Sequence, residues 1–198
     1  MKEKNSTAAK AVKRSVIIVA IIALAILAGF VGEHIYRTIE EANHPVLYSE
    51  YVTKYAKEYD LPEAVLYAVI KTESGFDETA RSSRGAMGLM QLLPDTYEWI
   101  CTREKIPYDA EKIADPETNI RCGAAYLAYL KNEFVIWETV YAAYNAGHGR
   151  VREWLADEDI ADNGHLIAIP YPETETYVSR VSDAVKIYTR ILEEQSKN

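Results

Sequence analysis

The chain of 198 residues has room for one membrane element and one domain of about 150 residues, which leaves too little for a second domain. It carries 22 basic and 30 acidic residues, a formal net charge of -8, and the first 14 residues hold five of the basic ones. The acidic remainder argues against nucleic acid as a partner and against long-range attraction to an anionic envelope. Any substrate must therefore be bound by a local groove.

The N-terminus combines a basic segment with an apolar one. Lys10, Lys13 and Arg14 precede an uncharged run from Val16 to Gly32, at the lower end of the about 17 to 25 residues that span a bilayer. Basic residues before a span keep the N-terminus in the cytoplasm. The predicted divisions are a cytoplasmic basic tail at 1–14 and a transmembrane signal anchor at 15–32. The rest then lies outside the cytoplasm.

A cleaved signal peptide is the alternative to this anchor. The triplets Ala23-Leu24-Ala25 and Leu27-Ala28-Gly29 contain the small residues of processing sites. The apolar run is longer than the usual signal core of about 7 to 15 residues, which favours an uncleaved, single-pass anchor. Both interpretations place the following domain outside the cytoplasm.

The segments beyond the anchor have helical periodicity. Residues 33–46 are polar and predict a short juxtamembrane helix or linker, and residues 47–198 form the predicted domain. No run alternates long enough to indicate a strand pair, so this domain is expected to be mainly α. Only the loop from Phe76 to Ala86 leaves room for a small hairpin. The predicted helices cover about 47–59, 62–74, 94–104, 116–133, 136–146, 149–156 and 173–194.

Glu73 occupies an apolar position of the second of these helices. It follows Leu66 at i+7 and Ile70 at i+3, just before the break at Ser74 and Gly75. Burial and the negative end of the helix dipole both disfavour the carboxylate, so a raised pKa is predicted. A carboxyl that stays protonated near neutral pH can act as a general acid. The alternative is a structural glutamate satisfied by backbone or tyrosine donors.

Two further segments carry candidate binding residues. The loop Gly85-Ala86-Met87-Gly88-Leu89-Met90-Gln91 has glycines that let its backbone approach a ligand closely, and Gln91 offers an amide that can donate and accept hydrogen bonds. Met90 either walls a cleft or fills the core. In Ala143-Tyr144-Asn145-Ala146-Gly147, Tyr144 lies on an apolar stripe and its buried hydroxyl needs a partner. Asn145 is either a helix-terminal residue or a ligand contact, and Gly147 is a plausible helix stop.

The remaining reactive side chains indicate a disulfide and no metal. Cys101 and Cys122 both fall in the exported part, where a bridge closing a loop of about 20 residues would stabilise the fold by roughly 3 kcal/mol. Two separate buried thiols are the alternative. The four histidines are scattered without metal-ligand spacing, and no cofactor is expected. Among them, His148 lies between two glycines and is expected at the surface.

Four short motifs occur in one order along the chain: Glu73-Ser74, then Gly88-Leu89-Met90-Gln91, then Ala143-Tyr144-Asn145-Ala146-Gly147, then Glu173-Thr174 followed by Tyr177-Val178. In this order and spacing, from about Leu47 to about Glu194, the chain resembles the catalytic domain of the family 1 lytic transglycosylases. These are the peptidoglycan-cleaving enzymes of the soluble lytic transglycosylase type. The resemblance implies a lysozyme-like α domain that acts on peptidoglycan glycan strands.

The resemblance also implies roles for individual residues. Glu73 would be the single catalytic acid and then base, cleaving the β-1,4 bond between N-acetylmuramic acid and N-acetylglucosamine and leaving 1,6-anhydromuramic acid ends. Tyr144 would point at the carboxyl of Glu73. Glu173 would line the site and hold Tyr177 or a backbone turn in place, without serving as a second catalytic acid. The supporting residues are then Ser74, Met90, Gln91, Tyr144, Asn145, Glu173 and Tyr177.

The second carboxylate that most glycosidases need is not evident in the sequence. Asp77 and Glu78 are the nearest acids to Glu73, and both fall in a charged loop where a solvated acid is expected. One carboxylate alone suits a transglycosylase. A hydrolytic muramidase of the lysozyme kind stays open as a second enzyme class, because the fold is shared. A non-catalytic glycan-binding or envelope-assembly module is the third alternative, and a buried acid argues against it.

Overall fold

The computed structural model describes residues 2–197, with side chains described at 13, 14 and from 17 onward. The chain divides into two compact units between Pro45 and Val46. The N-terminal unit contains one long helix, and the second unit contains the helical domain.

Helix α1 (Lys2–Asn43) makes up the N-terminal unit. Its segment Ile17–Asn43 is apolar and long enough to cross a membrane, and its most apolar part is entirely exposed. The helix does not break at Gly32, so the predicted juxtamembrane segment is helical and continuous with the apolar run. The Arg37–Glu33 ion pair, at 3.0 Å, lies at the i,i+4 spacing that supports a helix exposed to water.

The second unit is mainly α, as the periodicity predicts. The helices are α2 (Ser49–Glu58), α3 (Glu63–Glu73), α4 (Pro94–Glu104), α5 (Pro116–Phe134), α6 (Trp137–Ala146), α7 (His148–Leu155) and α8 (Pro172–Gln195). All seven lie within a few residues of their predicted bounds. Helix α5 begins with a capping residue followed by a proline. The Asp115 carboxylate accepts a hydrogen bond from the Thr118 N–H at 3.0 Å, and Pro116 is the first residue of the helix.

Three short elements are absent from the predicted pattern. A 3₁₀ helix covers Ala110–Ala114, and strands β1 (Ala161–Asp162) and β2 (His165–Leu166) pair antiparallel. The turn between the strands is Asn163-Gly164, and both residues have positive φ, as a tight hairpin requires. Two-residue strands are too short to show alternation. The loop from Phe76 to Ala86 holds no pair of strands. One isolated antiparallel bridge joins Arg81 of this loop to Met87, and a second, beyond the loop, joins Met87 to Leu92.

Helix α3 forms the centre of the domain. Its residues from Ala64 to Ile70 are all buried. The helix packs chiefly against α8, and α6 packs against α5, α7 and α8. Tyr67 of α3 stacks on Tyr188 of α8 with ring centroids 5.2 Å apart. Because α3 is enclosed on all sides, its last residue, Glu73, is held at a fixed place beside the core.

The two cysteines face each other across α4 and α5. Cys101 and Cys122 are both buried and both free thiols in the structure. Burial raises the pKa of the Cys122 thiol, and the neighbouring Cys101 adds to the shift. The predicted disulfide is therefore not formed here. The two thiols are neighbours, so they are placed to be oxidised to a disulfide. That oxidation in an exported protein stays a prediction.

Candidate active site

Glu73 lies at the C-terminal end of α3, where the buried helix meets the surface. The side chains from Ala64 to Ile70 are buried, while Glu73 keeps partial access to solvent. Burial raises the pKa of this carboxyl from 4.5 to about 7, and a hydrogen bond from Tyr177 opposes the rise. The raised pKa predicted from the apolar stripe is confirmed. At neutral pH Glu73 is divided between its protonated and ionised forms, which is the condition for general acid and general base work.

Tyr177 is the residue that holds the Glu73 carboxyl. The Tyr177 hydroxyl donates to Glu73 Oε1 at 2.7 Å, from a buried position on α8. The bond joins residues 104 positions apart in sequence. Burial raises the pKa of Tyr177, and the charge of Glu73 raises it further, so the phenol stays a donor. Tyr177 contacts one carboxyl oxygen and leaves Oε2 for another partner.

Tyr144 does not hold Glu73, contrary to the sequence-based expectation. Its hydroxyl donates instead to the main-chain carbonyl of Met90, at 2.8 Å. The two side chains are nevertheless close, because the Glu73 charge adds to the burial that raises the pKa of Tyr144. A buried phenol donates to whichever acceptor lies within reach. Helix α6 places Tyr144 over the loop 85–91, where that acceptor is the Met90 carbonyl. Tyr144 therefore fixes the loop beside the acid.

The expected role of Glu173 at the site stays a prediction, and the structure shows another residue making the contact with α6. This side chain is exposed in the first turn of α8, and within the described part of the chain no hydrogen bond links it to Tyr177. Its neighbour Thr174 makes the contact instead, since the buried Thr174 hydroxyl donates to Asn145 Oδ1 at 2.7 Å. Asn145 thus ties the end of α6 to the start of α8. Exposure suits Glu173 because a carboxylate near a helix N-terminus is stabilised by the dipole.

Ser74 connects the end of α3 to the glycine-containing loop. Its hydroxyl donates to the Leu89 carbonyl at 2.8 Å. With this bond, four hydrogen bonds join the four sequence motifs in a closed ring around the acid. The pairs, donor first, are Ser74 to Leu89, Tyr144 to Met90, Thr174 to Asn145, and Tyr177 to Glu73. The motifs therefore act chiefly by positioning one carboxyl, since most of their polar groups bond to one another.

Asn119 is a site residue that the sequence analysis missed. It is fully buried in α5, and its Oδ1 accepts from the Met90 N–H at 2.7 Å. Its amide group donates to the carbonyls of Met87 and Ile113, at 3.0 and 2.6 Å. Gly88, with φ +79, approaches this amide so closely that a Cβ would lie 2.5 Å from Nδ2. Asn119 is thus the internal support of the loop, and the glycine is required by the contact.

Met90 and Gln91 have separate roles. Met90 is fully buried, and a Cβ on Gly123 would meet its sulfur at 2.3 Å, so Met90 fills the core and does not wall a cleft. Gln91 has φ 48, and its amide donates to the carbonyls of Gly88 and Ala80. These bonds hold the loop in place. Because Gln91 also lies at a groove, its side chain can still contact a ligand.

A groove of about 210 Å³ runs past this loop. Gln91, Tyr144 and Asn145 line it, so three of the predicted binding residues are brought together. Glu73 is not among the residues that line this groove. Tyr144, which lines the groove and lies close to Glu73, connects the two. Ser74, Met90 and Tyr177 support the site from inside, and Glu173 lies outside it.

No second carboxylate perturbs Glu73 within the described residues. Its pKa shift has two causes, burial and the Tyr177 hydroxyl. Asp77 and Glu78 are exposed, as expected for solvated acids; Asp77 accepts hydrogen bonds from Thr79, and Glu78 accepts one from Tyr48. Glu73 is therefore a lone acid in a partly dry position.

Tyr177→Phe should raise the pKa of Glu73 above its present value of about 7. The hydroxyl of Tyr177 stabilises the ionised carboxylate, so its loss favours the protonated form. Titration of the Glu73 carboxyl carbon by ¹³C NMR measures the change directly. Tyr188→Phe is the matched control, because that buried tyrosine stacks on Tyr67. Loss of the Tyr188 hydroxyl should leave the pKa of Glu73 unchanged. An unchanged or lowered pKa in Tyr177→Phe would contradict the assigned contact.

The chain is similar to known lytic transglycosylases. Residues 50–167 match the transglycosylase SLT domain family. The soluble lytic murein transglycosylase of Escherichia coli K12 is 34% identical over 164 residues, covering 79% of this chain and 24% of that protein. Membrane-bound lytic murein transglycosylase C of Pectobacterium atrosepticum is 30% identical over 167 residues, covering 72% of this chain and 47% of that protein. The chain thus spans a quarter to a half of the length of these curated relatives.

Solved structures show the same likeness. An inactive mutant of lytic transglycosylase Slt from Pseudomonas aeruginosa superposes with a TM-score of 0.69 at 34% identity, over 76% of this chain and 25% of that one. The 70 kDa soluble lytic transglycosylase in complex with bulgecin A gives a TM-score of 0.71 at 31% identity, over 77% and 26%. The predicted lysozyme-like α fold is confirmed. Since the family match spans more than half of the sequence, the chain belongs to the transglycosylase SLT domain family.

Proposed function

We propose that this protein is a peptidoglycan lytic transglycosylase that uses Glu73 as its one catalytic residue. The observation that carries the proposal is the placement of a lone carboxyl, with its pKa raised to about 7, inside a hydrogen-bonded ring made from the four family motifs. Relatives named lytic murein transglycosylases support the substrate class. The bond cleaved is the β-1,4 link between N-acetylmuramic acid and N-acetylglucosamine.

In the first step Glu73 acts as a general acid. The protonated carboxyl donates its proton to the glycosidic oxygen, and the bond from that oxygen to C1 of the muramic acid breaks. The N-acetyl group of the substrate can assist at C1, as in substrate-assisted glycosidases. Partial burial keeps a large fraction of Glu73 protonated at neutral pH, which supplies the proton.

In the second step the same group acts as a base. Glu73, now ionised, removes the proton from the C6 hydroxyl of the muramic acid, and O6 forms a bond to C1. The products are a 1,6-anhydromuramic acid end and a free C4 hydroxyl, with no water consumed and Glu73 protonated again. Tyr177 stabilises the carboxylate between the two steps, because its hydroxyl donates to Oε1.

The lone carboxyl favours this reaction over hydrolysis. A hydrolytic muramidase generally needs a second carboxylate as a base or nucleophile. Within the described residues Asp77, Glu78 and Glu173 are exposed and do not perturb Glu73. A non-catalytic binding module gains nothing from a carboxyl that costs free energy to bury.

Purified murein sacculi test the activity as a whole. The full chain in detergent micelles should release soluble muropeptides and lower the turbidity of the suspension. Activity should fall as pH rises through about 7, because the acid must begin protonated. Release of no muropeptides at pH 5 to 7 would support the binding module instead.

We also infer that the protein is anchored in the bacterial cytoplasmic membrane with its domain outside. Helix α1 has an apolar segment long enough to span a bilayer, and some relatives are named membrane-bound. Lys10, Lys13 and Arg14 precede that segment and favour a cytoplasmic N-terminus. The anchor would hold the active site close to the inner face of the murein layer.

Protease added to intact protoplasts should remove the domain and leave α1 in the membrane. The orientation follows from the basic residues before the apolar run. Immunoblotting with antibodies to each end of the chain reads the outcome. Full protection of the domain would show the opposite orientation, and a free domain in the medium with a new N-terminus near Ala28 would show cleavage.

A further inference from the structure

The groove beside Gln91 carries a positive charge from one side chain. Among the described residues that line it, Arg84 alone is charged at neutral pH, and none is acidic. The whole chain, by contrast, has 30 acidic and 22 basic residues. A lone cation in a groove of an acidic protein favours a ligand that carries an anionic group. The proposed function gives Arg84 no role.

The guanidinium of Arg84 is free to bind a ligand. Within the part of the chain that the structure describes, it takes part in no ion pair and no hydrogen bond. A guanidinium presents five N–H donors in a fixed plane, so all of them are left for a partner from outside the chain. Other arginines of the domain are paired with carboxylates: Arg103 with Glu104, Arg121 with Glu58, Arg150 with Glu153 and Arg152 with Glu133.

A tight turn fixes the backbone of Arg84 at the groove. The Gly85 N–H donates to the Ser82 carbonyl at 3.0 Å, which closes a turn with Ser83 and Arg84 at its centre. The Ser82 N–H donates to the Ala86 carbonyl at 2.9 Å, and the Ala86 N–H donates to the Ser82 hydroxyl at 3.0 Å. Gly85 has φ +83, which glycine adopts without strain. Because the backbone is already held, a ligand orders only the side chain of Arg84.

The turn is attached to the loop beside the catalytic acid. The Gly88 N–H and the Gln91 side-chain amide both donate to the Ala80 carbonyl, at 3.0 and 3.1 Å. That loop is bonded in turn to the end of α3 through the Ser74 hydroxyl. The cation and the acid therefore belong to one hydrogen-bonded unit. A sugar ring that lies in the groove brings its substituents close to Arg84.

The larger groove that adjoins this one differs in charge. Its volume is about 620 Å³, and its lining includes Asp95 and Arg152. The guanidinium of Arg152 is paired with Glu133, so it is already neutralised. His148 lines this groove half-buried against Trp99, and so it is not the plain surface residue that the sequence suggested. Of the two grooves, the smaller one offers the free cation among the described residues.

We propose that Arg84 binds a carboxylate on the lactyl arm of the muramic acid ring in this groove, as a specificity-determining residue. The inference rests on the proposed function, because it takes the substrate to contain muramic acid. The lactyl carboxyl is free in strands without peptides, whereas in other strands it is linked to the stem, which has carboxylates of its own. A guanidinium binds a carboxylate through two parallel N–H···O bonds. N-acetylglucosamine lacks the arm, so Arg84 discriminates against it.

Binding is tested by calorimetry in a Glu73→Gln background of the full chain in micelles, so that the result does not depend on cleavage. The probes are stem-free glycan strands from murein and chitohexaose, which has no lactyl arm. Arg84→Gln should weaken the affinity for the stem-free strands about tenfold, the scale of a hydrogen bond to a charged group, and leave that for chitohexaose unchanged. Arg84→Lys should keep part of the affinity, because lysine retains the charge without the planar donors.

Two controls separate a carboxylate contact from other effects. Stem-free strands whose lactyl carboxylates have been converted to amides keep their shape and lose their charge. They should bind weakly, and Arg84→Gln should weaken them no further. Arg81→Gln is the matched variant, since it removes an equal charge from the same loop. The Arg81 guanidinium bonds to the Met87 sulfur and does not line the groove, so the affinity should stay unchanged.

Strands that keep their peptide stems identify the source of the carboxylate. If Arg84→Gln weakens the binding of stem-free strands, the partner is the lactyl carboxylate itself. If it weakens only strands with stems, the partner is a carboxylate of the peptide. An equal loss with chitohexaose, with amidated strands or in Arg81→Gln would show a general effect of the loop or of net charge and overturn the proposal. Unchanged affinity for both kinds of strand would also overturn it, whether or not the protein cleaves murein.

Discussion

Glu73→Gln should abolish murein cleavage while leaving the domain folded and able to bind glycan. The amide keeps the Oε1 atom that accepts from Tyr177 at 2.7 Å, so the geometry of the site is conserved. It cannot donate a proton to the glycosidic oxygen. A general acid contributes about 10²- to 10⁴-fold, and a group that serves as acid and then base exceeds that range when it is lost. Initial rates of muropeptide release measure the effect.

The same substitution should stabilise the domain at high pH. Ionisation of Glu73 is favoured in the unfolded chain from about pH 4.5, whereas the folded protein resists it until about pH 7. Ionised Glu73 therefore costs folding free energy that grows over this interval, up to about 3 kcal/mol before allowing for its solvent access. Glu73→Gln should raise Tm at pH 8 and leave it nearly unchanged at pH 4. A lower Tm at pH 8 would mean that lost activity reflects misfolding.

Glu173→Gln provides the matched control for the catalytic assignment. Glu173 belongs to the same family motifs, yet it is exposed in the first turn of α8. Its replacement removes a modest interaction with the helix dipole. Measurable murein cleavage should remain. If Glu73→Gln is active and Glu173→Gln is not, the roles of the two acids are reversed.

Asn119→Ala should cause the largest loss of stability of any single change considered. It removes three buried hydrogen bonds at once and leaves the Met90 N–H and the carbonyls of Met87 and Ile113 without that partner. The Met87 carbonyl still accepts from the Leu92 N–H at 3.0 Å, so two buried groups lose their partner. Each unsatisfied buried group costs about 1 to 3 kcal/mol, so a total of about 2 to 6 kcal/mol is expected. That is a large part of a stability that is typically about 5 to 15 kcal/mol. Urea unfolding followed by near-UV circular dichroism measures it.

Thr139→Val is the matched control for this prediction. Thr139 is also buried, but its hydroxyl has no hydrogen-bond partner among the residues that the structure describes. Replacing it by an apolar side chain of similar shape should be neutral or slightly stabilising. A similar loss in both variants would indicate that burial itself, and not the hydrogen bonds of Asn119, accounts for the effect.

The helices and the raised pKa of Glu73 follow from the sequence because both depend on local spacing. Apolar residues at helical intervals define α3, and the same stripe that buries Ile70 buries the stem of Glu73. The start of α5 follows from Asp115 and Pro116, whose chemistry is confined to that helix end. These features need no knowledge of how the helices pack.

The partner of Glu73 could not be predicted in this way. Tyr144 and Tyr177 are buried phenols on different helices, and both feel the Glu73 charge. Which of them donates to the carboxyl depends on the packing of α3 against α8, and that packing brings Tyr177 to Oε1. Periodicity assigns each residue to a face of its own helix. It does not decide which of two neighbouring hydroxyls lies nearer.

Asn119 was missed for a related reason. A polar residue near the start of a helix usually faces solvent, and nothing in its immediate sequence indicates a buried amide. Its role exists only because a loop some 30 residues earlier folds back over α5. The β1–β2 hairpin, by contrast, has a local signal in Asn163-Gly164, which is typical of tight hairpins even when the strands are short.

The origin of the oxygen at the new chain ends tests the central claim most directly. Sacculi digested in H₂¹⁸O should yield muropeptides with 1,6-anhydromuramic acid ends, lighter by one water than reducing ends and free of ¹⁸O, because O6 of the sugar itself attacks C1. Mass spectrometry of the separated muropeptides reads both properties. Reducing ends labelled with ¹⁸O would show that water is the nucleophile, and the protein would then be a hydrolase despite the lone carboxyl at Glu73.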